Sequence, residues 1–312
     1  MILTVTMNPS IDMSYSIDHL KIDDVNRVGN VIKTAGGKGL NVSRVLYLLN
    51  APLESTGIIG GHLGNLLEDL LDQDGINHKF FRITPETRNC LAILHDNGNQ
   101  TEILEKGPRI QAADAIHFLD FFSRLSRDAK IVTMSGSLLQ GVTPNFYNKM
   151  IRIVHKNGGK AILDTSGESL RDSVTSDEKP DLIKPNETEL QDLVGKGFKS
   201  TNLSEIKTII REPIFDGIEW IVVSLGANGC VAKHNNRFYK VTIPKINVIN
   251  PVGSGDSTIA GLTYAINRED KDDVILKYGM ATGMLNAVEK KTGFINPTHM
   301  EEYLSKVQVE EF

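Results

Sequence analysis

The chain has 312 residues, 40% of them hydrophobic, and a formal net charge of −5. That size suits one large α/β domain or a domain with a smaller appendage, and the negative charge excludes any general attraction to nucleic acid or an anionic membrane surface. A phosphorylated ligand would therefore have to be held by local cations. Cys90 and Cys230 are far apart and fit no metal or redox spacing, so they read as small buried hydrophobes of a reducing compartment. No run approaches the ~20 apolar residues that span a bilayer, and residues 1–6 lack a basic leader. A soluble, cytoplasmic protein is expected.

In chain order, Ile2–Thr6 predicts a buried strand, and residues 10–20 alternate polar and apolar like a half-exposed one. Asp12 is taken to stand at the C-terminal end of the first strand. Next comes Ala35-Gly36-Gly37-Lys38-Gly39-Leu40-Asn41. It lacks Walker A spacing, and no Gly-x-Gly-x-x-Gly follows the first strand, which removes support for a dinucleotide dehydrogenase. The cluster offers close backbone approach at Gly37, with Asn41 as donor and acceptor on the first turn of a helix at 40–49. Val42, Val45, Leu46 and Leu49 give that helix its apolar face. Residues 89–105 alternate like 10–20, with a hairpin turn at Asp96-Asn97-Gly98, and the two segments predict a small β-sheet lid. Helical patterns at 63–74, 112–125 and 145–155 alternate with strand patterns at 131–134, 160–164, 181–184 and 220–224. Alternating βα units imply a doubly wound, mainly parallel sheet flanked by helices, within a single domain over 1–312. Ligands of such sheets sit beyond the C-terminal strand ends. Asn186 and Glu189 have the spacing of a capping box, and Ser224 to Gly229 is a glycine turn after a strand. Residues 237–241, after Asn235-Asn236, read as a further hairpin arm.

The most informative segment is Asn250-Pro251-Val252-Gly253-Ser254-Gly255-Asp256-Ser257, followed by an apolar helix at 258–266. The order predicts a helix N-terminus opening onto a glycine-lined gap, which favours a group that becomes more negative. Asp256, at its mouth, is placed to take a proton from an attacking hydroxyl. A lone Gly-x-Gly-Asp is more often an ordinary capped loop. Here, however, the early Gly-Gly-Lys-Gly-x-Asn and the late Asn-Pro-x-Gly-Ser-Gly-Asp-Ser-x-x-Ala-Gly together resemble the paired signatures of the ribokinase-like (PfkB-type) carbohydrate kinases. Their order and separation match, so the resemblance covers nearly the whole chain.

That resemblance implies the roles of individual residues. Asp256 would be the catalytic base, with Gly253, Ser254 and Gly255 forming the anion hole. Asp12, Gly37 and Asn41 would bind sugar hydroxyls. Arg27, Lys38 and Arg88, with Ser137, would hold a phosphate already on the substrate, as in the family's phosphosugar branch. Arg88 is the best discriminator, because plain sugar kinases generally lack it. Lys184 would reach ATP phosphate oxygens, Asn186 and Glu189 match the family's Asn-x-x-Glu motif, and Glu189 would act on magnesium through water. Ser224, Gly226 and Gly229 would line the nucleotide. Many relatives carry asparagine where this chain has Gly279, so no adenine contact is assigned there. The implied reaction is ATP- and Mg2+-dependent phosphorylation of the C1 hydroxyl of a phosphorylated ketohexose. Segments around Lys38, Arg88 and Trp220 most resemble members acting on D-tagatose 6-phosphate. Fructose phosphate kinases of the same fold and a non-catalytic sugar-phosphate sensor are the alternatives. A homodimer through the lid is the expected assembly.

Overall fold

Hydrophobic runs too short for helices and bounded by turn residues set the centre of the structure, a computed structural model that describes residues 1–96, 98–199 and 201–312. Strand β1 (Ile2–Thr6) is wholly buried, and β2 (Ser10–Ser16) and β3 (Val31–Gly36) precede the first helix, α1 (Lys38–Leu48). There follow β4 (Leu53–Gly60), α2 (Gly61–Gln73), β5 (Phe81–Ile83), β6 (Arg88–His95), β7 (Asn99–Leu104) and α3 (Ala112–Leu125). The alternation then runs through β8 (Ile131–Ser135), α4 (Phe146–Lys156), β9 (Lys160–Asp164), α5 (Gly167–Thr175), β10 (Leu182–Ile183), α6 (Glu187–Val194), α7 (Leu203–Ile209) and β11 (Trp220–Ser224). The chain closes with β12 (Cys230–His234), β13 (Arg237–Thr242), α8 (Ser254–Asn267), α9 (Asp272–Ala287), α10 (Met300–Lys306) and β14 (Gln308–Glu311).

Ten strands form one sheet in the order β14-β13-β12-β11-β10-β9-β8-β1-β4-β5. From β11 to β5 every pair is parallel, while β12, β13 and β14 add an antiparallel edge. Successive residues of β1 serve opposite faces: Ile2 packs into one apolar cluster, Leu3 and Val5 into the other. The first cluster takes Leu40, Leu67, Ile259 and Met284 from α1, α2, α8 and α9; the second takes Phe118, Ile151, Leu170 and Leu190 from α3 to α6. Helices therefore cover both faces of the sheet. Chain order reverses where β1 lies between β8 and β4, which creates a crevice beyond the C-terminal strand ends.

A second sheet, ordered β3-β2-β6-β7, leaves the end of β1. Both predicted lid segments lie in it, but a third segment joins them. Val31–Gly36 is a strand paired antiparallel with β2, so the glycine cluster begins as a strand end and Lys38 already opens α1. Asp12 lies within β2 and not at the end of β1, because Met7, Asn8 and Pro9 intervene. Of the predicted Asp96-Asn97-Gly98 turn, Asn97 lies outside the described residues; Asp96 adopts a left-handed φ of 43° between β6 and β7. The hairpin arm at 237–241 is β13, paired with β12 in the main sheet. No helix among the described residues is long and apolar enough to cross a membrane.

Candidate active site

The α8 helix starts earlier than its apolar run suggests, at Ser254, so Asp256 lies on its first turn. Its N-cap is Gly253, whose φ of 83° is a conformation that a side chain would strain. Among the described residues no side chain caps the helix, and the Ser254 N–H donates to Pro251 O at 3.2 Å. A Cβ at Gly255 would stand 3.4 Å from Lys184 Nζ, so the ammonium lies beside this helix end. The loop before α8 is pinned by Asn286, fully buried on α9. Its Nδ2 donates to Val252 O at 2.9 Å, and its Oδ1 accepts from Gly293 N at 2.8 Å.

Asp256 is only 6% exposed. Asn41 Nδ2, from α1, donates to its Oδ2 at 2.8 Å. Burial and then the charge of Asp164 push the Asp256 carboxyl up to about 7, against the opposing pull of Asn41, Lys38 and Lys184. Asp164 ends β9 and is 3% exposed. One of its oxygens lies 3.4 Å from Lys184 Nζ and the other 3.7 Å from Lys38 Nζ. Asp164 is the main reason the Lys38 ammonium holds its proton above the ordinary lysine value; Asp256 and Glu189 add to the effect. Two ammonium groups, two carboxylates and an open helix N-terminus thus converge on one gap.

The residues expected on the nucleotide side are brought together beside it. Asn186 Oδ1 accepts from Glu189 N at 2.8 Å and Glu189 Oε2 accepts from Asn186 N at 2.9 Å, the capping box of α6. Ser224 bridges to Asn186, and its N–H donates to Pro185 O at 3.0 Å. Gly226 and Gly229 bound the turn between β11 and β12. Gly279 packs against Leu262 of α8, a helix–helix contact.

At the lid end, Ser10 Oγ donates to Asp12 Oδ1 at 2.6 Å, and burial raises the Asp12 carboxyl above its usual value. A Cβ at Gly36 would collide with that carboxylate, so this glycine makes room for it. One residue on, a Cβ at Gly37 would stand 2.8 Å from the Thr6 methyl group. Arg88 donates to Asn8 O at 3.1 and 3.3 Å and to Glu105 O at 2.8 Å. Asn8 Nδ2 in turn donates to Ser137 Oγ at 3.3 Å. A Cβ at Gly136 would stand 3.7 Å from Lys38 Cβ, so Lys38 lies beside the turn that carries Ser137. Arg88 and Ser137 are joined through Asn8, Lys38 belongs with Asp164, and Arg27 is exposed in the loop between β2 and β3.

Asp164, Asn8 and Asn286 were not singled out from sequence. Asp164 had a usable signal, a carboxylate on the last residue of a parallel strand. Asn8 and Asn286 act through contacts of high sequence separation and had none.

A model described as pfkB family carbohydrate kinase matches residues 5–299. Together with an uncapped glycine-led helix, a buried carboxylate and paired lysines, this match covers nearly the whole chain, which belongs to the pfkB family of carbohydrate kinases. It is 47% identical over 310 residues to the tagatose-6-phosphate kinase of Staphylococcus epidermidis, covering 99% of each chain. Among solved structures, a putative phosphofructokinase from Staphylococcus aureus superposes with a TM-score of 0.86 at 29% identity, covering 100% of this chain and 99% of that one. Phosphofructokinase-2 from Escherichia coli shares the fold, with a TM-score of 0.90 at 23% identity over 97% of this chain and 98% of that one.

Proposed function

We propose that the protein transfers the γ-phosphoryl group of ATP to the C1 hydroxyl of D-tagatose 6-phosphate, giving the 1,6-bisphosphate, with Asp256 as general base. The carrying observation is the Asp256 carboxylate, buried, oriented by Asn41 and set on the first turn of α8 beside Lys184. The full-length likeness to a tagatose-6-phosphate kinase supports the choice of sugar.

In this reading the C1 hydroxyl gives its proton to Asp256 as its oxygen bonds to the γ-phosphorus. The bond from phosphorus to the bridging β–γ oxygen breaks, and ADP leaves with the electron pair. The amides of Gly253, Ser254 and Gly255 stabilise charge on the moving group. Lys184 and Lys38, which share the Asp164 carboxylate, face that same group from two sides. Lys38 is 44% exposed along its side chain and can exchange Asp164 for a phosphate oxygen. Arg27, Lys38 and Arg88, with Ser137, hold the 6-phosphate, and a guanidinium suits that task through its planar fork. Asp12, Gly37 and Asn41 take the sugar hydroxyls. Asn186, Ser224, Gly226 and Gly229 line the nucleotide.

Magnesium is implied by the chemistry. Among the described residues no group of three or more His, Cys, Asp or Glu side chains could hold a metal ion. That fits an ion carried chiefly by ATP phosphates and water, with Glu189 acting through water. When bound, it neutralises phosphate charge. All 312 residues act as one cytoplasmic kinase unit whose smaller sheet is a lid, and the lid pairs with that of a second copy.

The test is ADP release with Mg-ATP across tagatose 6-phosphate, fructose 6-phosphate, fructose 1-phosphate and the free sugars. Preference for tagatose 6-phosphate by catalytic efficiency is expected. Preference for a fructose phosphate would keep Asp256 and change the substrate. Activity confined to free sugars would remove the phosphate clamp, and no release at all would favour a sensor.

A further inference from the structure

A side-chain amide next to a carboxylate can present either its NH2 group or its oxygen, and the two have opposite effects on the ionised acid. Asn41 presents Nδ2 to Asp256. Its Oδ1 accepts from Arg44 Nη1 at 3.2 Å. Arginine can only donate, so an amide held between Arg44 and Asp256 must turn its oxygen to the first and its NH2 to the second.

Arg44 is itself immobilised. It lies one turn beyond Asn41 on α1, on the same face, and is 4% exposed. Its Nη2 donates to Ala35 O at 2.8 Å and its Nε to Asp74 Oδ2 at 3.2 Å. Asp74 also receives Lys291 Nζ at 3.9 Å. Two residues past Lys291, a Cβ at Gly293 would stand 2.7 Å from Asn41 Oδ1, so the backbone closes over the amide. That same Gly293 N–H is held by Asn286, which also holds the loop before α8. The Asp74 end of the path Asp74–Arg44–Asn41–Asp256 is therefore joined through Lys291 to the loop after α9, while Asp256 at the other end lies on α8 itself.

We propose that Arg44 is a positioning residue of the phosphoryl transfer: it locks the Asn41 amide in the one orientation that donates to the ionised Asp256. The proposal rests on Asp256 being the base. The other charged groups facing Asp256 are Asp164 from β9, Lys38 from α1 and Lys184 beyond β10. The charge of Arg44 also reaches Asp12 in the lid, so sugar binding must be read separately from turnover.

The experiment measures kcat, KM and thermal melting for the full chain with Arg44→Met, Arg44→Lys and Asp256→Asn, across the pH range that brackets 7. Loss of a hydrogen bond to a charged group predicts that Arg44→Met lowers kcat about tenfold. The acid limb of kcat should move to higher pH by about one unit, since a freed amide can turn its oxygen to Asp256. Arg44→Lys, which keeps a donor, should recover part of the shift. A wild-type acid limb in folded Arg44→Met would overturn the proposal even if activity fell, because a purely structural role lowers kcat without moving the limb. Should Arg44→Met fail to fold, Asp74→Asn frees the Nε anchor and leaves Arg44 in place; it should shift the limb in the same direction by less, and an unmoved limb would again refute the idea. Near-normal turnover of Asp256→Asn would instead remove the base and the proposal with it.

Discussion

At the scale of single residues, Asp256 concentrates the conflict between chemistry and stability. Asp256→Asn should lower turnover at least ~10²-fold with little change in ATP affinity, since a base acts on proton transfer and not on nucleotide binding. The carboxyl sits at about 7 in the fold against 3.8 ordinarily. Between those values the folded protein holds a proton that the unfolded chain has lost, so this group's contribution to stability declines as pH rises through the window. The asparagine variant should accordingly melt a few degrees above wild type at pH 8 and match it near pH 4, and calorimetry at the two pH values measures this. A melting difference independent of pH would mean that the acid is not perturbed in this direction. Arg88 makes a separate argument: carbonyl oxygens of Asn8 and Glu105 meet its guanidinium, and its charge acts on the Asp12 carboxyl. Arg88→Ala should chiefly raise the KM for the phosphosugar; an unchanged KM would take Arg88 out of the site. Asp256, Asn41 and Lys184 were legible because their motifs are local. Arg44 was not, because a buried ion pair and a solvated charge look alike in a string of letters, and the position of Asp164 at a strand end was a signal left unused.

Among the elements, α8 and α9 decide whether Asp256 stands where it does. Gly261 lies in the seam between them, and a Cβ there would collide with Thr282 Oγ1 and the Tyr278 carbonyl. Thr282 Oγ1 also donates to Ser257 O at 2.7 Å, one residue after Asp256. Gly261→Ala should therefore destabilise by about 1–3 kcal/mol through overpacking. Because the displaced helix carries Asp256, kcat should fall as well, measurable by melting and by turnover per folded molecule. Unchanged melting would mean the seam has slack. The Ser-x-x-Ala-Gly ending of the late motif is thus partly a packing signal, beyond its chemistry. Several strands of the main sheet were legible from periodicity, since burial on both faces gives continuous apolar runs such as Trp220–Ser224, whereas β4, β5 and β14 were not read from the sequence. Strand β3 escaped that reading: its burial runs from exposed Val31 to buried Gly36, and no alternation marks it as a strand. Its partner β2 supplies the pattern only once the chain has folded back.

For the whole molecule, the smaller sheet raises the question of what covers it. Side chains two apart share a face, so Asp12, Cys90 and Leu104, one row of the register, look the same way as Ile32 and Leu94 farther along. Ile32, Leu94 and Leu104 are exposed. With the sugar at Asp12 as proposed, that exposed apolar surface stands on the same face as the substrate. A second copy of the same sheet would cover it by an isologous contact, with each copy supplying the same residues. Covering the sheet would also stiffen β2, on which Asp12 depends for its place. The protein should therefore sediment as a dimer, and Ile32→Glu with Leu94→Glu should give a monomer. That monomer should keep its melting behaviour in the main sheet and lose affinity for the phosphosugar more than for ATP, because the proposed ATP contacts lie on the strands beyond β9. Sedimentation velocity joined to steady-state kinetics decides the matter. A wild-type monomer at concentrations where activity is full would refute pairing through the sheet, whereas a dimer left intact by both substitutions would move the contact elsewhere.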